Sequence, residues 1–316
     1  MSAVSLTPKG PYSLTASTRF LEGFTPAAYN DASDGILRLA FPADDHHTVI
    51  GCALRSNEAA DHHPPTVHAD ITLHPAPGHQ APTNQAARAQ IARILSLDVD
   101  GTDFPAVGQR DPVVAALQAQ YPGLRPVLFH SPYEAAAWTI IGNRIRMTQA
   151  AAIKARIAHD HGKAVNVAGR QLHAFPTPGV LRTLDHIPGL TDVKVERLHA
   201  IAQAALDGHL DAATLRAHDT QQALHDLQQL PGIGPFSAEL ILVRGVGHPD
   251  VFPANEARLH QAITTQYQLD PVTAAAPQKL ARIADVWRPY RSWIALLLRT
   301  QAEHDPTRPT HSNHRK

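Results

Sequence analysis

The chain has 316 residues, of which 43% are hydrophobic and 18% are charged, with 28 basic and 28 acidic side chains. This length allows two or three compact units, each with its own core. A single cysteine, Cys52, excludes an intramolecular disulfide, a multi-cysteine zinc site and a cysteine-ligated iron–sulfur centre. A net charge of zero with neutral histidines argues against a tight nonspecific binder of nucleic acid.

Two further features concern location and metals. Residues 1–11 lack a charged segment followed by an apolar run, and no apolar run is long enough to span a membrane. We therefore expect a cytoplasmic protein without a membrane partner. The 21 histidines include the adjacent pairs His46–His47 and His62–His63. Adjacent residues do not share a helix face, so we interpret these histidines as solvated rather than as metal ligands.

The N-terminal third of the chain predicts a small antiparallel sheet with helices. Residues 67–73 alternate apolar and polar side chains, whereas residues 36–41 and 48–54 are more continuously apolar, as buried strands are. Residues 85–95 predict a helix. We therefore expect an α+β unit over residues 1–112.

From residue 113 onward the pattern is almost entirely helical, which predicts an all-helical unit over residues 113–300. Residues 132–158 predict one long helix, or two helices that break near residues 142–147. Residues 301–316 predict a disordered tail. The other predicted helices cover residues 111–120, 178–183, 193–206, 212–217, 256–266, 278–286 and 291–300.

A sharp turn between two apolar helices is the most informative segment of the chain. Leucines at helical spacing define the first helix over residues 224–230, and Pro-Gly-Ile-Gly-Pro follows at residues 231–235. Neither Gly232 nor Gly234 has a Cβ, so each can take a positive φ or admit another backbone. The second helix ends near Gly245. Its free N–H groups predict an anion site, and carbonyls across the turn can hold a monovalent cation. The alternative is an ordinary corner between two helices.

With these residues in view, the sequence resembles a known family, the helix-hairpin-helix DNA glycosylases, and within it the bacterial 3-methyladenine DNA glycosylase II type. The resemblance implies a small β-rich domain packed on a helical body. It also implies an enzyme of base excision repair that flips a damaged, alkylated base out of double-stranded DNA and cleaves its N-glycosidic bond. The implied protein is a monomer associated with the nucleoid that requires no cofactor. Besides the hairpin, the matching segments are Pro11–Phe24, Ser131–Ala152, Phe175–Pro178 and Trp287–Ser292.

The resemblance implies that Glu256 supplies the catalytic carboxylate. Laying the hairpin and the following loop over the family places Glu256 where the family has an aspartate, and Leu259 at the apolar position three residues later. A carboxylate beside the sugar stabilises the positive charge that grows as the bond breaks. Glutamate is one methylene longer, and a displacement of about 1 Å can cost about 10²-fold in rate. The alternative is a helix-start residue favoured by the helix dipole, with Asn255 as the N-cap.

Two sets of DNA contacts follow from the resemblance. The hairpin binds the phosphate backbone, and the family's wedge, which fills the gap left by the flipped base, falls on Arg144 in a helix over residues 138–150. Arginine can stack in such a gap and contact phosphate; the alternative is a surface arginine. Arg144, Arg146 and Lys154 fall in one helical region and predict a local basic face. The implied DNA-binding residues are Pro231, Gly232, Ile233, Gly234, Phe236, Ser237, Asn143 and Arg144.

A base pocket lined by Phe236, Leu240, Trp138 and Arg299 is also implied. Aromatic side chains line this pocket in the family and attract cationic alkylated bases, but Phe236 and Arg299 replace two of its tryptophans here. A cation beside the pocket disfavours a positively charged base and suits a neutral lesion. The remaining aromatic candidates, for which core packing is the commoner fate, are Trp287, Tyr290 and Trp293.

Two implied features concern the hairpin. The carbonyls of Gln228, Leu230 and Ile233 hold a structural Na⁺ or K⁺. The bifunctional relatives carry a lysine in the second helix, whereas residues 236–242 contain none, so we expect a monofunctional hydrolase.

Three hypotheses remain open from the sequence. The first is a monofunctional DNA glycosylase, with either alkylated or neutral lesions as substrates. The second is a noncatalytic DNA-binding or damage-sensing protein on the same fold, motivated by Glu256, Arg144 and Arg299. The third is a nucleotide-pool or RNA enzyme on that fold.

Overall fold

A four-stranded antiparallel sheet and a larger helical body make up the protein, as the α+β prediction requires. The computed structural model describes residues 2–27, 29, 34–57 and 65–304. His62 and His63 therefore lie outside the described residues. None of the described helices is long and apolar enough to cross a membrane. The described part of the chain contains no group of three or more His, Cys, Asp or Glu side chains arranged for a metal ion.

The sheet has the strand order β1-β4-β3-β2, with β1 at Ser2–Leu6, β2 at Leu37–Pro42, β3 at Thr48–Asn57 and β4 at Thr66–Pro75. The predicted strands at residues 36–41, 48–54 and 67–73 are confirmed, whereas β1 was not predicted. Both faces of β3 are covered, which explains its continuously apolar sequence.

Two different clusters cover the faces of β3. On one face, Ile50 and Leu54 belong to a core cluster that includes Ile91 of the helix α2, at Asn84–Ile94. On the other face, Val49 and Ala53 pack against Val165 and Val167.

The second face is covered by a two-stranded hairpin, β5 at Ala164–Val167 and β6 at Arg170–His173. The prediction that the chain is almost entirely helical after residue 113 is wrong here. The turn residues of the β5–β6 hairpin, Ala168 and Gly169, have φ of 46° and 82°, as in a type I′ turn. Strands of four residues are too short for an alternation of apolar and polar side chains to be detected. The hairpin is stabilised instead by its packing on β3.

The helical body is built from short helices whose N-cap residues are mostly Ser, Thr or Asp. Ser131 and Asp219, for example, accept N–H bonds from the first turns that follow them. The helices not given above are α1 Leu14–Gly23, α3 Phe104–Arg110, α4 Pro112–Gln120, α5 Pro132–Gly142, α6 Met147–His161, α7 Pro178–Leu181, α8 Asp192–Leu206, α9 Ala212–Ala217, α10 Thr220–Gln228, α11 Pro235–Leu240, α12 Ala257–Gln266, α13 Pro271–Ala274, α14 Pro277–Ala284 and α15 Arg291–His304.

The helices of the structure confirm one alternative of the sequence prediction and differ from the prediction elsewhere. Helices α1, α3 and α13 were not predicted. The alternative with two helices in place of one over residues 132–158 is confirmed, because residues 143–146 separate α5 from α6. Helix α15 continues to His304, so residues 301–304 are helical rather than part of a tail, and residues 305–316 lie outside the described residues. The division into units at residue 112 stays a prediction.

Candidate active site

The turn between α10 and α11 has the predicted hairpin geometry, with one glycine in the left-handed region. Gly232 has φ of +86°, and a Cβ there would lie 2.7 Å from Arg197 Cδ and 2.9 Å from Ile140 Cδ1. Gly234 has φ of −95°, so it does not use the left-handed region that a glycine permits, and the approach of another backbone to it stays a prediction. A Cβ at Gly234 meets no atom within 4 Å, which leaves that side of the turn open. Pro235 begins α11, as predicted.

Only part of the predicted set of free amides is free. The N–H of Ile233 donates to the carbonyl of Leu230 at 3.0 Å, and the Ile233 side chain is buried in the core. Ile233 is therefore not available to DNA through its amide or side chain. Among the described residues, the amides of Gly232, Gly234, Phe236 and Ser237 have no hydrogen-bond acceptor. These four unpaired donors lie close together at the turn and the start of α11, as an anion site requires, and the site itself stays a prediction.

The carbonyls proposed for a monovalent cation lie on the other side of the turn. The Leu230 carbonyl already accepts the Ile233 N–H, and its second lone pair remains. The carbonyls of Gln228 and Ile233 accept no hydrogen bond from any described residue. Three carbonyl oxygens suit the donor chemistry of Na⁺ or K⁺, and the site stays a prediction.

A cavity of about 750 Å³ brings the four predicted base-pocket residues together with Glu256. It lies beside the hairpin, because Phe236 in the first turn of α11 lines it and is 46% exposed. Leu240, Trp138, Arg299 and Glu256 line the same cavity. These side chains come from α5, α11, α15 and the residue before α12.

The local structure around Glu256 separates its two sequence interpretations. Glu256 itself occupies the N-cap position of α12, but its side chain makes no capping hydrogen bond. Asn255 is not the N-cap, so that part of the helix-start alternative is wrong. The Glu256 carboxylate lines the cavity instead, with about a quarter of the side chain exposed.

The carboxylate of Glu256 is paired with Arg299. The sequence predicts Arg299 as a pocket residue but does not predict this ion pair. Arg299 Nε lies 2.9 Å from Glu256 Oε1, and Arg299 Nη2 donates to Glu303 Oε1 at 2.7 Å. Glu256 Oε2 has no hydrogen bond or ion pair with any described residue. One oxygen of the carboxylate is thus fixed and the other remains available in the cavity.

A second acid in the cavity wall, Glu239 of α11, was missed by the sequence analysis. Its Oε1 accepts the Ala254 N–H at 3.1 Å and the Asn255 Nδ2 at 2.7 Å, and its Oε2 accepts the Asn255 N–H at 2.8 Å. Burial raises the pKa of Glu239, hydrogen bonds from Asn255 and Ala254 oppose this rise, and the charge of Glu256 adds to it. Glu239 therefore fixes the loop that carries Glu256. A charged residue on the buried face of α11 was the available signal.

Comparisons with known proteins agree with this geometry. No protein-family model matches the chain. A probable bifunctional transcriptional activator/DNA repair enzyme AlkA of Mycobacterium tuberculosis is 30% identical over 248 residues, 74% of this chain and 48% of that protein. A DNA-3-methyladenine glycosylase of Bacillus subtilis is 24% identical over 69% of this chain and 74% of that protein. The solved structure of 3-methyladenine DNA glycosylase from Archaeoglobus fulgidus has a TM-score of 0.74 and 20% identity, and the match covers 98% of this chain and all of that one.

This chain resembles the helix-hairpin-helix DNA glycosylases in sequence and in fold. The predicted resemblance to the bacterial 3-methyladenine DNA glycosylase II type is thereby confirmed. The chain spans about half the length of the Mycobacterium tuberculosis relatives that it matches.

The loop between α5 and α6 of this helix-hairpin-helix fold carries the proposed wedge. Arg144 lies in the loop rather than in a helix over residues 138–150, is exposed, and has a φ of +55°. Such a conformation is uncommon for a residue with a Cβ. Lys194 Nζ donates to the carbonyls of Ile141 and Asn143 at 2.9 and 2.8 Å, which fixes the base of the loop. Asn143 is exposed beside Arg144.

The basic face predicted from Arg144, Arg146 and Lys154 needs a correction. Lys154 keeps only 13% of its side chain exposed and pairs with Glu134 at 2.6 Å, so its ammonium group is engaged inside the protein. Arg146 is exposed in the loop with Arg144, whereas Arg197, which the sequence analysis missed, packs beside the hairpin glycine. No local pattern in α8 distinguishes Arg197 from a surface residue.

The remaining aromatic candidates belong to the core of the glycosylase fold. Trp287, Tyr290 and Trp293 are buried in one cluster and do not line the cavity, which confirms the core interpretation. Trp287 Nε1 donates to Asp111 Oδ2 at 3.1 Å. Trp138 contributes to the cavity as predicted, together with Phe20, Phe24 and Phe129, which were not predicted.

Proposed function

We propose that this protein is a monofunctional DNA glycosylase that removes a damaged base, of the alkylated class, from duplex DNA in base excision repair. The observation that carries the proposal is the single cavity that Glu256, Trp138, Phe236 and Leu240 line beside an open helix start. Its volume lies in the range of about 300–1,000 Å³ common for ligand sites. The relatives named DNA-3-methyladenine glycosylase support the alkylated class.

In the proposed reaction, DNA binds through its backbone to the amides of Gly232, Gly234, Phe236 and Ser237. Arg144, on the braced loop, fills the space of the flipped nucleotide. The damaged base enters the cavity among aromatic side chains. One chain carries all of these parts, so we expect a monomer to suffice.

Glu256 is the proposed catalytic carboxylate. As the bond between C1′ and the base lengthens, positive charge develops on the sugar, and the available Oε2 stabilises it. Arg299 holds the other oxygen, so the longer glutamate side chain has a defined position. Among the described residues that line the cavity there is no lysine, which supports hydrolysis rather than a Schiff base.

The deciding experiment measures base release by mass spectrometry with wild type and Glu256→Gln. The substrates are methylated duplex DNA and duplexes that contain a neutral lesion. We expect the variant to lose base release by about 10²-fold or more while it still binds an abasic duplex, because only the charge that stabilises the sugar cation is removed. Asp185→Asn is the matched control, since Asp185 is exposed and has no polar contact with any described residue.

A second candidate function is a noncatalytic sensor of damaged DNA. The ion pair between Arg299 and Glu256 favours it, because a neutralised carboxylate stabilises a sugar cation less well. This function predicts binding to abasic duplex without release of any base by the wild type. Release from RNA or free nucleotides, in preference to duplex DNA, would instead indicate a nucleotide-pool or RNA enzyme.

A further inference from the structure

The cavity wall contains a partly buried arginine, Arg244, that already covers two of its aromatic rings. The guanidinium of Arg244 lies over the ring of Phe24 at 4.5 Å and over the ring of Phe20 at 5.3 Å. All three residues line the cavity. An aromatic ring attracts a cation through its negative face. On Phe20 and Phe24 that position is already taken by the guanidinium of Arg244.

The charge of Arg244 is not compensated by an ion pair with any described carboxylate. Its Nη2 donates to the carbonyl of Val127 at 2.8 Å, and its Nε is buried without an acceptor. Its Nη1 has no partner among the described residues and is not enclosed. Burial lowers the pKa of Arg244 to about 10, so the guanidinium is still protonated at neutral pH.

The carboxylates near Arg244 are engaged elsewhere. Glu256 and Glu303 both pair with Arg299, at 2.9 and 2.7 Å. Glu239 accepts three hydrogen bonds from the loop at residues 254–255. Arg244 is therefore the cation at these two rings that has no direct ion pair among the described residues, and its Nη1 remains without an acceptor there.

We propose that, within the alkylated class, this site selects neutral bases with exposed acceptor atoms, such as ethenoadenine, over positively charged N-methylpurines, and that Arg244 determines this selection. The proposal rests on the proposed function. A cationic base would meet a like charge where the rings would otherwise attract it. We expect this repulsion to weaken the binding of a cationic base by about tenfold.

The same charge assists the departure of a neutral base. When the C1′–N bond breaks, its electron pair leaves with the base, water adds to C1′ as hydroxide, and the water's remaining proton ends on the base. A neutral base carries negative charge until that proton arrives, whereas a cationic base leaves as a neutral molecule. A guanidinium N–H aimed at an acceptor atom of the base stabilises this negative charge.

The test compares single-turnover release by the full chain from duplexes that each contain one ethenoadenine, hypoxanthine or 7-methylguanine. Each rate is divided by the spontaneous release from the same duplex, because cationic bases leave readily without an enzyme. We expect the enhancement for a neutral lesion to exceed that for 7-methylguanine by at least about tenfold. An equal or larger enhancement for 7-methylguanine overturns this inference and leaves the glycosylase function intact. Release of none of the bases overturns both.

The role of Arg244 is tested with Arg244→Met, which keeps an apolar chain over Phe20 and Phe24 but removes the charge. We expect the ratio of the two enhancements to fall several-fold or more, with Arg282→Met, an exposed arginine outside the cavity, unchanged. Circular dichroism and a melting curve verify that the variant is folded. A folded Arg244→Met with an unaltered ratio contradicts the assignment to Arg244. If the variant does not fold, the wild-type ratio still decides the selectivity.

Discussion

At the scale of single residues, the chemistry of this site depends on which charges are paired. Glu256 is paired on one oxygen with Arg299, Glu239 is fixed by the loop before Glu256, and Arg244 is left with aromatic rings and one carbonyl. A carboxylate with one free oxygen and a fixed position can stabilise a sugar cation directly. A mobile carboxylate would lose conformational entropy in the transition state, and the reaction would be slower.

Glu239 provides a test of this positioning. We expect Glu239→Gln to lower the rate of base release by about ten- to a hundredfold, because an amide cannot accept all three bonds from Ala254 and Asn255 and the loop shifts. Single-turnover kinetics with excess enzyme measure this rate. Affinity for an abasic duplex should change little, since the backbone amides of Gly232, Gly234, Phe236 and Ser237 are not altered.

The control for Glu239→Gln is again Asp185→Asn, which replaces an exposed carboxylate by an amide. A Glu239→Gln variant that releases bases at the wild-type rate would show that the loop holds Glu256 without this acid.

At the scale of elements, the hairpin and the loop between α5 and α6 depend on a few backbone conformations. The hairpin was predicted from its Pro-Gly-Ile-Gly-Pro sequence, because only certain residues allow so sharp a turn. The break at residues 143–146 was one of two alternatives, because no proline interrupts the helical pattern there. The hairpin β5–β6 escaped prediction, since its strands depend on contact with β3.

The two hairpin glycines have different functions, and alanine substitutions separate them. Gly232→Ala forces a side chain into a φ of +86° and against Arg197, so we expect a loss of about 1–2 kcal/mol in the free energy of unfolding. Gly234→Ala fits its φ of −95° and open surroundings, and since alanine is only a poorer N-cap for α11, the free energy of unfolding should fall by less than about 1 kcal/mol. Its methyl group covers the open helix start, and DNA affinity should fall about tenfold.

Chemical denaturation and fluorescence anisotropy with a duplex measure these effects. Gly179→Ala in α7 is the matched control, because a Cβ there also meets nothing within 4 Å and it lies outside the hairpin. Unchanged DNA affinity in Gly234→Ala would argue against phosphate binding at this turn.

At the scale of the whole molecule, the cavity is assembled from segments at both ends of the chain. Helix α1 supplies Phe20 and Phe24, and α15 supplies Arg299. Lys154 Nζ joins the two parts, because it donates to the carbonyl of Pro26 at 3.2 Å and pairs with Glu134. The N-terminal part therefore contributes a wall of the site in addition to its own sheet.

The buried group around Glu134 predicts how stability varies with pH. Burial by itself raises the pKa of Glu134, but the charges of His130 and Lys154 and their hydrogen bonds outweigh it and hold that pKa well below its ordinary value of 4.5. Because the folded pKa is depressed, the stabilisation is present above about pH 4.5 and is lost as the pH falls below it. We expect Glu134→Gln to cost about 3–5 kcal/mol at neutral pH, since Lys154 is left without its partner.

Urea denaturation between about pH 7 and pH 3 measures this dependence. The difference in the free energy of unfolding between wild type and Glu134→Gln should be largest at neutral pH and should become smaller below about pH 4.5. Asp185→Asn should lie within about 0.5 kcal/mol of wild type throughout. A constant difference across this range would mean that the loss comes from packing rather than from the ionised carboxylate.

The sequence by itself determined the features that depend on local geometry. The hairpin, three of the four strands of the sheet and the position of Glu256 one short loop after α11 follow from turn residues, apolar periodicity and spacing. Only the tertiary structure decided the pairing of Glu256 with Arg299, the fixing of residues 254–255 by Glu239, and the stacking of Arg244 on Phe24. These contacts join side chains from different elements of the fold. Their energies depend on burial and on which charged groups the fold brings within reach, and a local sequence pattern encodes neither.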